Sequence, residues 1–279
     1  MTSSPRRPLG PLLQAVVYGD SAYPSGRYTL SYGLEGLIQT GQVAGSAAVR
    51  EALEDHLCHT AAPGDGVATA AAVILSGCVD GQAGLGAPAW ECCDLPAAVT
   101  ALCGIDEELS ATKVTEELRK ASTRVGRQTL RMHREVHPSQ FRPGGLLEAY
   151  ADAVSSGGPL GRRSPGNQAI ALGLVHHSNG LSAQEAVAVE LLGLAVGWSS
   201  AALRLGQCDH VGAQQIVAAA MELVEDLAGC CVSDALELLE PAQGQRAGPQ
   251  QWAMIGRASP GADMASAVHE VAPARLFMS

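Results

Sequence analysis

Apolar residues recur along most of this chain at every third or fourth position, the spacing of one face of an α-helix, and the strict alternation of a strand is almost absent. In "GSAAVREALEDHLCHTA" the stripe is Val49, Leu53 and Leu57. From Tyr28 onward, Leu30, Leu34, Leu37 and Ile38 predict a helix that Gly41 stops. Before it, "LLQAVVYGDSAYPSG" predicts a short helix closed by a turn of Pro24, Ser25 and Gly26.

Further helices are expected at "GDGVATAAAVILSGCVDG", "DLPAAVTALCGIDEELSA", "TKVTEELRKASTRVGRQTLRMHREV", "PGGLLEAYADAVSS", "GNQAIALGLVHHSNG", "SAQEAVAVELLGLAVGWSSAALRL" and "HVGAQQIVAAAMELVEDLAG". Ser182 followed by Glu185 has capping-box spacing, and Ser110 or Thr112 is expected to open the arginine-rich helix. The predicted fold is all-α, a single domain of about ten packed helices over residues 11–240. Residues 1–10 read as a disordered tail, and 241–262, rich in Gly, Pro and Gln, as a flexible segment. Residues 263–279 turn apolar again, and a chain ending on Leu276, Phe277 and Met278 is expected to dock those side chains.

Composition narrows the function classes. The chain has 279 residues, 47% of them hydrophobic, enough for a sizeable core. A formal net charge of −10 argues against nucleic acid as a partner, because phosphate contact needs clustered basic surface. One arginine-rich patch exists, at Arg119, Lys120, Arg124, Arg127, Arg131 and Arg134. With Glu116, Glu117 and Glu135 among them, a solvated helix face is preferred to a docking surface for an acidic partner. The eight cysteines include the adjacent pairs Cys92-Cys93 and Cys230-Cys231 in alanine- and leucine-rich surroundings, unlike a secreted disulfide framework. No signal peptide is read at the start, so the cytoplasm is the expected location. The most apolar stretch carries Glu190 and stops at Arg204, so no membrane span is expected.

Chemistry is sparse. There is no G-x-x-x-x-G-K-[ST] phosphate loop and no G-x-S-x-G elbow, and the glycines of "DGQAGLGAP" lack a strand-turn-helix context. Metal binding is suggested by His56, Cys58 and His59, by His176 and His177, and by Cys208, Asp209 and His210, yet none has the spacing of a closed site. In "HREVH", His133 and His137 share a helix face with the glutamate misplaced for a zinc protease. The cysteine pairs could ligate a soft metal, although buried cysteine as a small hydrophobe is commoner.

The segment "DSAYPSGRYTLSYGLE" stands out. On a helix, Tyr28, Ser31, Tyr32 and Glu35 follow an i, i+3, i+4, i+7 path beside the leucine stripe, which suits either a partner-facing stripe or half-buried filling. The motif closely resembles the N-terminal signature of the urease accessory protein F family (UreF), Asp-Ser-Ala-x-Pro-x-Gly-x-aromatic followed by Ser-x-Gly-Leu-Glu. Three further stretches resemble that family in its order: "TRVGRQTL", "GWSSAALRLGQCDHVGAQQIV" and the ending "ADMASAVHEVAPARLFMS".

The resemblance implies a non-enzymatic all-α homodimer with no cofactor of its own. It would bind accessory protein D (also called H) and recruit the GTPase accessory protein G, so that nickel reaches the urease apoenzyme. It also implies that the tail docks back on the N-terminal helices, bringing Arg275, Leu276 and Phe277 to Tyr28, Ser31, Tyr32 and Glu35, with Tyr28 and Arg275 on the GTPase-recruiting face. Family members often carry a histidine where this chain has Asn167, and an Arg-His-Glu and a tyrosine near Val268 and Pro273. The alternative from another class is a metal-binding protein or nickel carrier using residues such as His56 and His59.

Overall fold

The structure, a computed structural model, describes residues 9–81, 94–156, 161, 163–240, 255–256, 259–272 and 275–277. Residues 1–8 of the expected tail 1–10, most of the expected flexible segment 241–262, Cys92, Cys93, Pro273 and Met278 lie outside the described residues, while Gly10 and residues 260–262 are helical. The helices are α1 (Gly10–Gly19), α2 (Leu34–Gln39), α3 (Gly45–His56), α4 (Val67–Val79), α5 (Leu95–Thr112), α6 (Glu116–Val136), α7 (Leu146–Ser155), α8 (Gln168–Ser178), α9 (Ala183–Arg204), α10 (His210–Leu239) and α11 (Pro260–Glu270). No strand occurs among the described residues, and one hydrophobic core joins nearly every helix. The chain is a single all-α domain.

Helices α4 and α8 form the centre and are buried on almost all sides, from Val67 to Ser76 and from Gln168 to His176. Their small residues allow close approach: a Cβ on Gly173 would sit 2.7 Å from the Thr69 carbonyl oxygen. Around them pack α9 and α10, whose largest buried side chain, Trp198, donates from Nε1 to the Val49 carbonyl at 3.3 Å. The stretches Gly45–Val79 and Ala183–Arg204 are long and apolar enough to cross a membrane, but 67% and 56% of their most apolar windows are buried inside the fold. They serve as core helices here.

Two helices expected on either side of "TAAPGDG" are in fact one. A π-helical segment, Leu57–Gly66, carries α3 into α4 with Pro63 inside it. The glycines there serve packing rather than a turn, since a Cβ on Gly66 would lie 2.6 Å from Cys231 Sγ. That thiol donates to the Ala62 carbonyl at 3.2 Å, taking up an acceptor in the widened turn. The arginine-rich helix opens later than expected, at Thr115, whose hydroxyl accepts from the Leu118 N–H; Ser110 and Thr112 belong to α5. The capping box at α9 forms as read, with Ser182 and Glu185 bonded reciprocally. Ser182→Ala is expected to cost about 1 kcal/mol, measurable by urea unfolding.

Asn167 has a definite task. Asp106 is fully buried on α5 and accepts from the Tyr150 hydroxyl at 2.8 Å, Ser164 Oγ at 2.6 Å, the Gly166 N–H at 2.7 Å and Asn167 Nδ2 at 2.7 Å. This ties the turn before α8 to α5 and sets that turn against α6. A Cβ on Gly126 would fall 2.2 Å from the Gly166 carbonyl oxygen, so the glycine of "TRVGRQTL" is what lets α6 close on α8.

Candidate functional site

The segment read as a helix from Tyr28 to Glu35 is instead a short 3-10 turn, Arg27–Thr29, followed by an extended step and then α2 from Leu34. Tyr32 has φ of 52° and Gly33 of 90°, and consecutive left-handed residues cannot continue a right-handed helix. Tyr28, Ser31, Tyr32 and Glu35 therefore do not form a single stripe. They point to different neighbours.

Tyr32 and Arg27 lie across α9 where Gly193 and Gly197, four residues apart, leave its surface bare. A Cβ on Gly193 would stand 2.8 Å from an Arg27 guanidinium nitrogen, and one on Gly197 would be 2.9 Å from the Tyr32 ring. Arg27, only 7% exposed, faces Glu190 Oε2 at 3.5 Å and donates to the Glu190 carbonyl at 3.4 Å. Gln168 Nε2 donates to the other Glu190 carboxylate oxygen at 2.5 Å. Burial works to discharge the Arg27 guanidinium, but Glu190 and Tyr32 beside it outweigh that and hold its pKa above the ordinary value. Burial raises the Tyr32 phenol. Tyr32, Gln168 and Glu190 floor a cavity of about 110 Å³, also walled by Thr60 and Asp65 of the π segment and by Lys113, and roofed by Ala262 and Ser266 of α11.

The C-terminal segment crosses α2 at its closest point. A Cβ on Gly36 would lie 2.6 Å from the Ala265 carbonyl oxygen, so only glycine admits α11 there. Glu35, 2% exposed, is the anchor: Oε1 accepts the Leu276 N–H at 2.9 Å and Oε2 accepts the Phe277 N–H at 2.9 Å. His269 is fully buried with Nε2 3.0 Å from Glu35 Oε2 and Nδ1 3.2 Å from Glu117 Oε2. Arg275 pairs with Glu117 Oε1 at 3.6 Å and donates to the Glu270 carbonyl at 3.3 Å.

The guanidinium over Tyr28 belongs to Arg204, not Arg275. Arg204 at the end of α9 stacks 4.2 Å from the Tyr28 ring centroid and 4.2 Å from that of Phe277, and donates to the Tyr28 carbonyl at 3.0 Å. Phe277 is buried, whereas Leu276, which the sequence expected to dock, is 74% exposed. Tyr28 is 54% exposed, while Ser31 lies wholly inside. Sequence reading did not single out Arg204, Arg27, Glu117 or His269; the flanking "HE" of the terminal motif was the available signal for the last.

The histidines considered for metal are scattered. His56 stacks on Trp198 with ring centroids 5.1 Å apart, and His59 is exposed. His133 bonds Tyr18 Oη at 2.5 Å and Gln140 Oε1 at 2.7 Å, and neither ring nitrogen of His176 has a hydrogen-bond partner. His177 faces Asp80 at 3.1 Å. Among the described residues no three His, Cys, Asp or Glu side chains gather as a metal-holding group.

The family model described as UreF matches residues 43–221, well over half of the chain. The chain belongs to the UreF family. Proteins named "Urease accessory protein UreF" from Yersinia pestis (strain Pestoides F), Yersinia pseudotuberculosis serotype I (strain IP32953) and Yersinia enterocolitica serotype O:8 are each 26% identical to it over 269 residues, covering 95% of this chain and 97% of the relative. The span matched by the UreF model holds α3 through α9 and the first part of α10, including the Gly126 crossing and Arg204. The Tyr28 turn and α11 fall outside it, so the site joins a UreF-family core to both ends of the chain.

Proposed function

We propose that this chain is a non-enzymatic scaffold in urease maturation. It bridges accessory protein D (H) and the GTPase accessory protein G in the cytoplasm, as a homodimer, so that GTP-dependent nickel insertion reaches the urease apoenzyme. The observation that carries this reading is the closure of the tail on the N-terminal motif, because it builds one surface from the two ends of the chain. Tyr28, Arg275 and Leu276 are its exposed contact residues. Ser31, Tyr32, Glu35 and Phe277 support them from beneath, and Arg204 spaces the two rings. An exposed aromatic and an exposed arginine on a rigid base have the character of interface anchors.

The test is urease activity in cells expressing the urease subunits, the remaining accessory proteins and nickel, with and without this chain. Activity should depend on it. Tyr28→Ala and Arg275→Ala are each expected to lower activation and capture of the GTPase at least tenfold while leaving helix content and thermal midpoint unchanged. Equal activity with and without the chain would refute the role.

A further inference from the structure

The basic helix α6 resolves into three kinds of side chain. Arg119 donates to the carbonyls of Lys113 and Val114 at 2.6 and 2.8 Å, and Arg134 pairs with Asp152 at 3.1 Å and covers the Phe141 ring, so both hold the fold together. Lys120 and Arg131 are neutralised on the surface by Glu116 at 2.7 Å and Glu135 at 3.9 Å, four residues away in each case. Arg124 and Arg127 differ from all of these. Both are exposed, and among the described residues no carboxylate lies within ion-pair distance of either.

Each is nevertheless held in place. Arg124 donates from a terminal nitrogen to Thr29 Oγ1 at 2.9 Å and lies over Gly26, whose φ of 89° leaves no side chain in the way. Arg127 donates from Nε to the Pro165 carbonyl at 3.0 Å. These neutral acceptors fix the forks without neutralising them, and residues three apart on a helix stand about 5–6 Å apart at Cβ. Thr29 belongs to the same turn as Tyr28, so Arg124 borders the tail-closed surface and Arg127 follows it one turn along α6.

We propose that Arg124 and Arg127 form a docking site for a carboxylate-rich segment of a protein partner that lands on this surface. Two oriented forks suit bidentate capture of side-chain carboxylates. On a molecule of net charge −10, uncompensated positive charge at this spot favours an acidic partner segment there and repels it elsewhere. The two arginines are too few to hold a nucleic-acid backbone against that overall charge. This inference rests on the scaffold reading and names the chemistry of the partner at that surface.

The experiment measures capture of purified accessory proteins D and G by the full chain at 50 and 300 mM salt, comparing wild type, Arg124→Glu/Arg127→Glu, Arg124→Lys/Arg127→Lys and Tyr28→Ala, with circular dichroism on each. Charge reversal is expected to weaken capture at least tenfold at low salt and to flatten its salt dependence. The lysine pair should keep the salt dependence with a smaller loss, and Tyr28→Ala should weaken capture with the salt slope intact. Unchanged affinity and slope in the folded double-glutamate variant, alongside a defect in Tyr28→Ala, would overturn the docking site and leave the scaffold reading standing. No capture by wild type would refute both. Tighter capture of duplex DNA than of the accessory proteins by the wild type, lost on charge reversal, would also overturn it.

Discussion

Glu35→Ala is expected to release the C-terminal segment from the body of the protein without unfolding it. The Glu35 carboxylate accepts the backbone N–H groups of Leu276 and Phe277 and faces His269 Nε2, all at 2.9–3.0 Å. Its removal leaves those groups without an acceptor beneath a covered surface, at about 1–3 kcal/mol for each donor that stays buried. Undocking relieves that penalty, because the freed N–H groups then meet water. The core formed by α3 to α10 does not depend on Glu35, so the global melt should move far less than the tail. Hydrogen exchange read by mass spectrometry should show protection over 260–272 falling on the order of 100-fold, about 2.7 kcal/mol, with α8 and α9 unaffected. Protection retained in that segment would mean that Gly36 packing on Ala265 and the Glu117 contacts to His269 and Arg275 hold α11 without Glu35. The variant should also behave as a double loss of Tyr28 and Arg275 in urease activation.

Mild acid should destabilise the whole chain. Burial lowers the imidazole of His176 to about 3, and those of His56 and His133 to about 4, so all three are neutral in the fold near pH 7. In the unfolded chain each would take a proton near pH 6.5. The unfolded state thus binds more protons between that value and the folded values. Stability is complete above about pH 6.5 and is lost as the pH falls towards 4. His176, fully buried with no hydrogen-bond partner on either nitrogen, accounts for roughly 3 kcal/mol of that loss by itself at pH 4. Urea unfolding at pH 7.5, 6, 5 and 4.5 should show a steep decline, and His176→Leu should flatten it. A midpoint constant from pH 7 to pH 5 would contradict the neutral-core description.

Much of the fold was legible because helical spacing is local. The stripe of Val49, Leu53 and Leu57 and the Ser182–Glu185 box needed only neighbours in sequence, and both appear where periodicity put them. Periodicity failed at Tyr32, where the i, i+3, i+4, i+7 spacing was satisfied but two left-handed residues redirected the chain. It failed again at "APGDG", where turn-forming residues were retained for the close approach of Cys231 to Gly66. The site was legible only in part. The motifs marked Tyr28, Glu35 and Arg275, but their partners are set by contacts spanning 163 positions for Arg27 with Glu190 and 234 for Glu35 with His269, which no local pattern encodes. Arg204 took the place beside Tyr28 that the family resemblance had offered to Arg275, since one guanidinium covers a phenol ring as well as another.

The π-helical stretch between α3 and α4 also governs which changes of length the gene can tolerate. An i→i+5 turn holds one more residue than an α turn, so losing a single residue between Leu57 and Gly66 would let the helix relax to ordinary winding. The residues of α4 would then keep their facing against α8, because the residue removed is the one the wide turn holds in excess. One residue lost from α4 itself ahead of Thr69 would instead turn those that follow by about 100°, one step of a helix of 3.6 residues per turn, and carry Thr69 away from the Ala169 carbonyl it bonds. The π-helical stretch is thus the place where a one-codon deletion spares the central helix, whereas the same deletion within α4 re-phases it against all its neighbours at once.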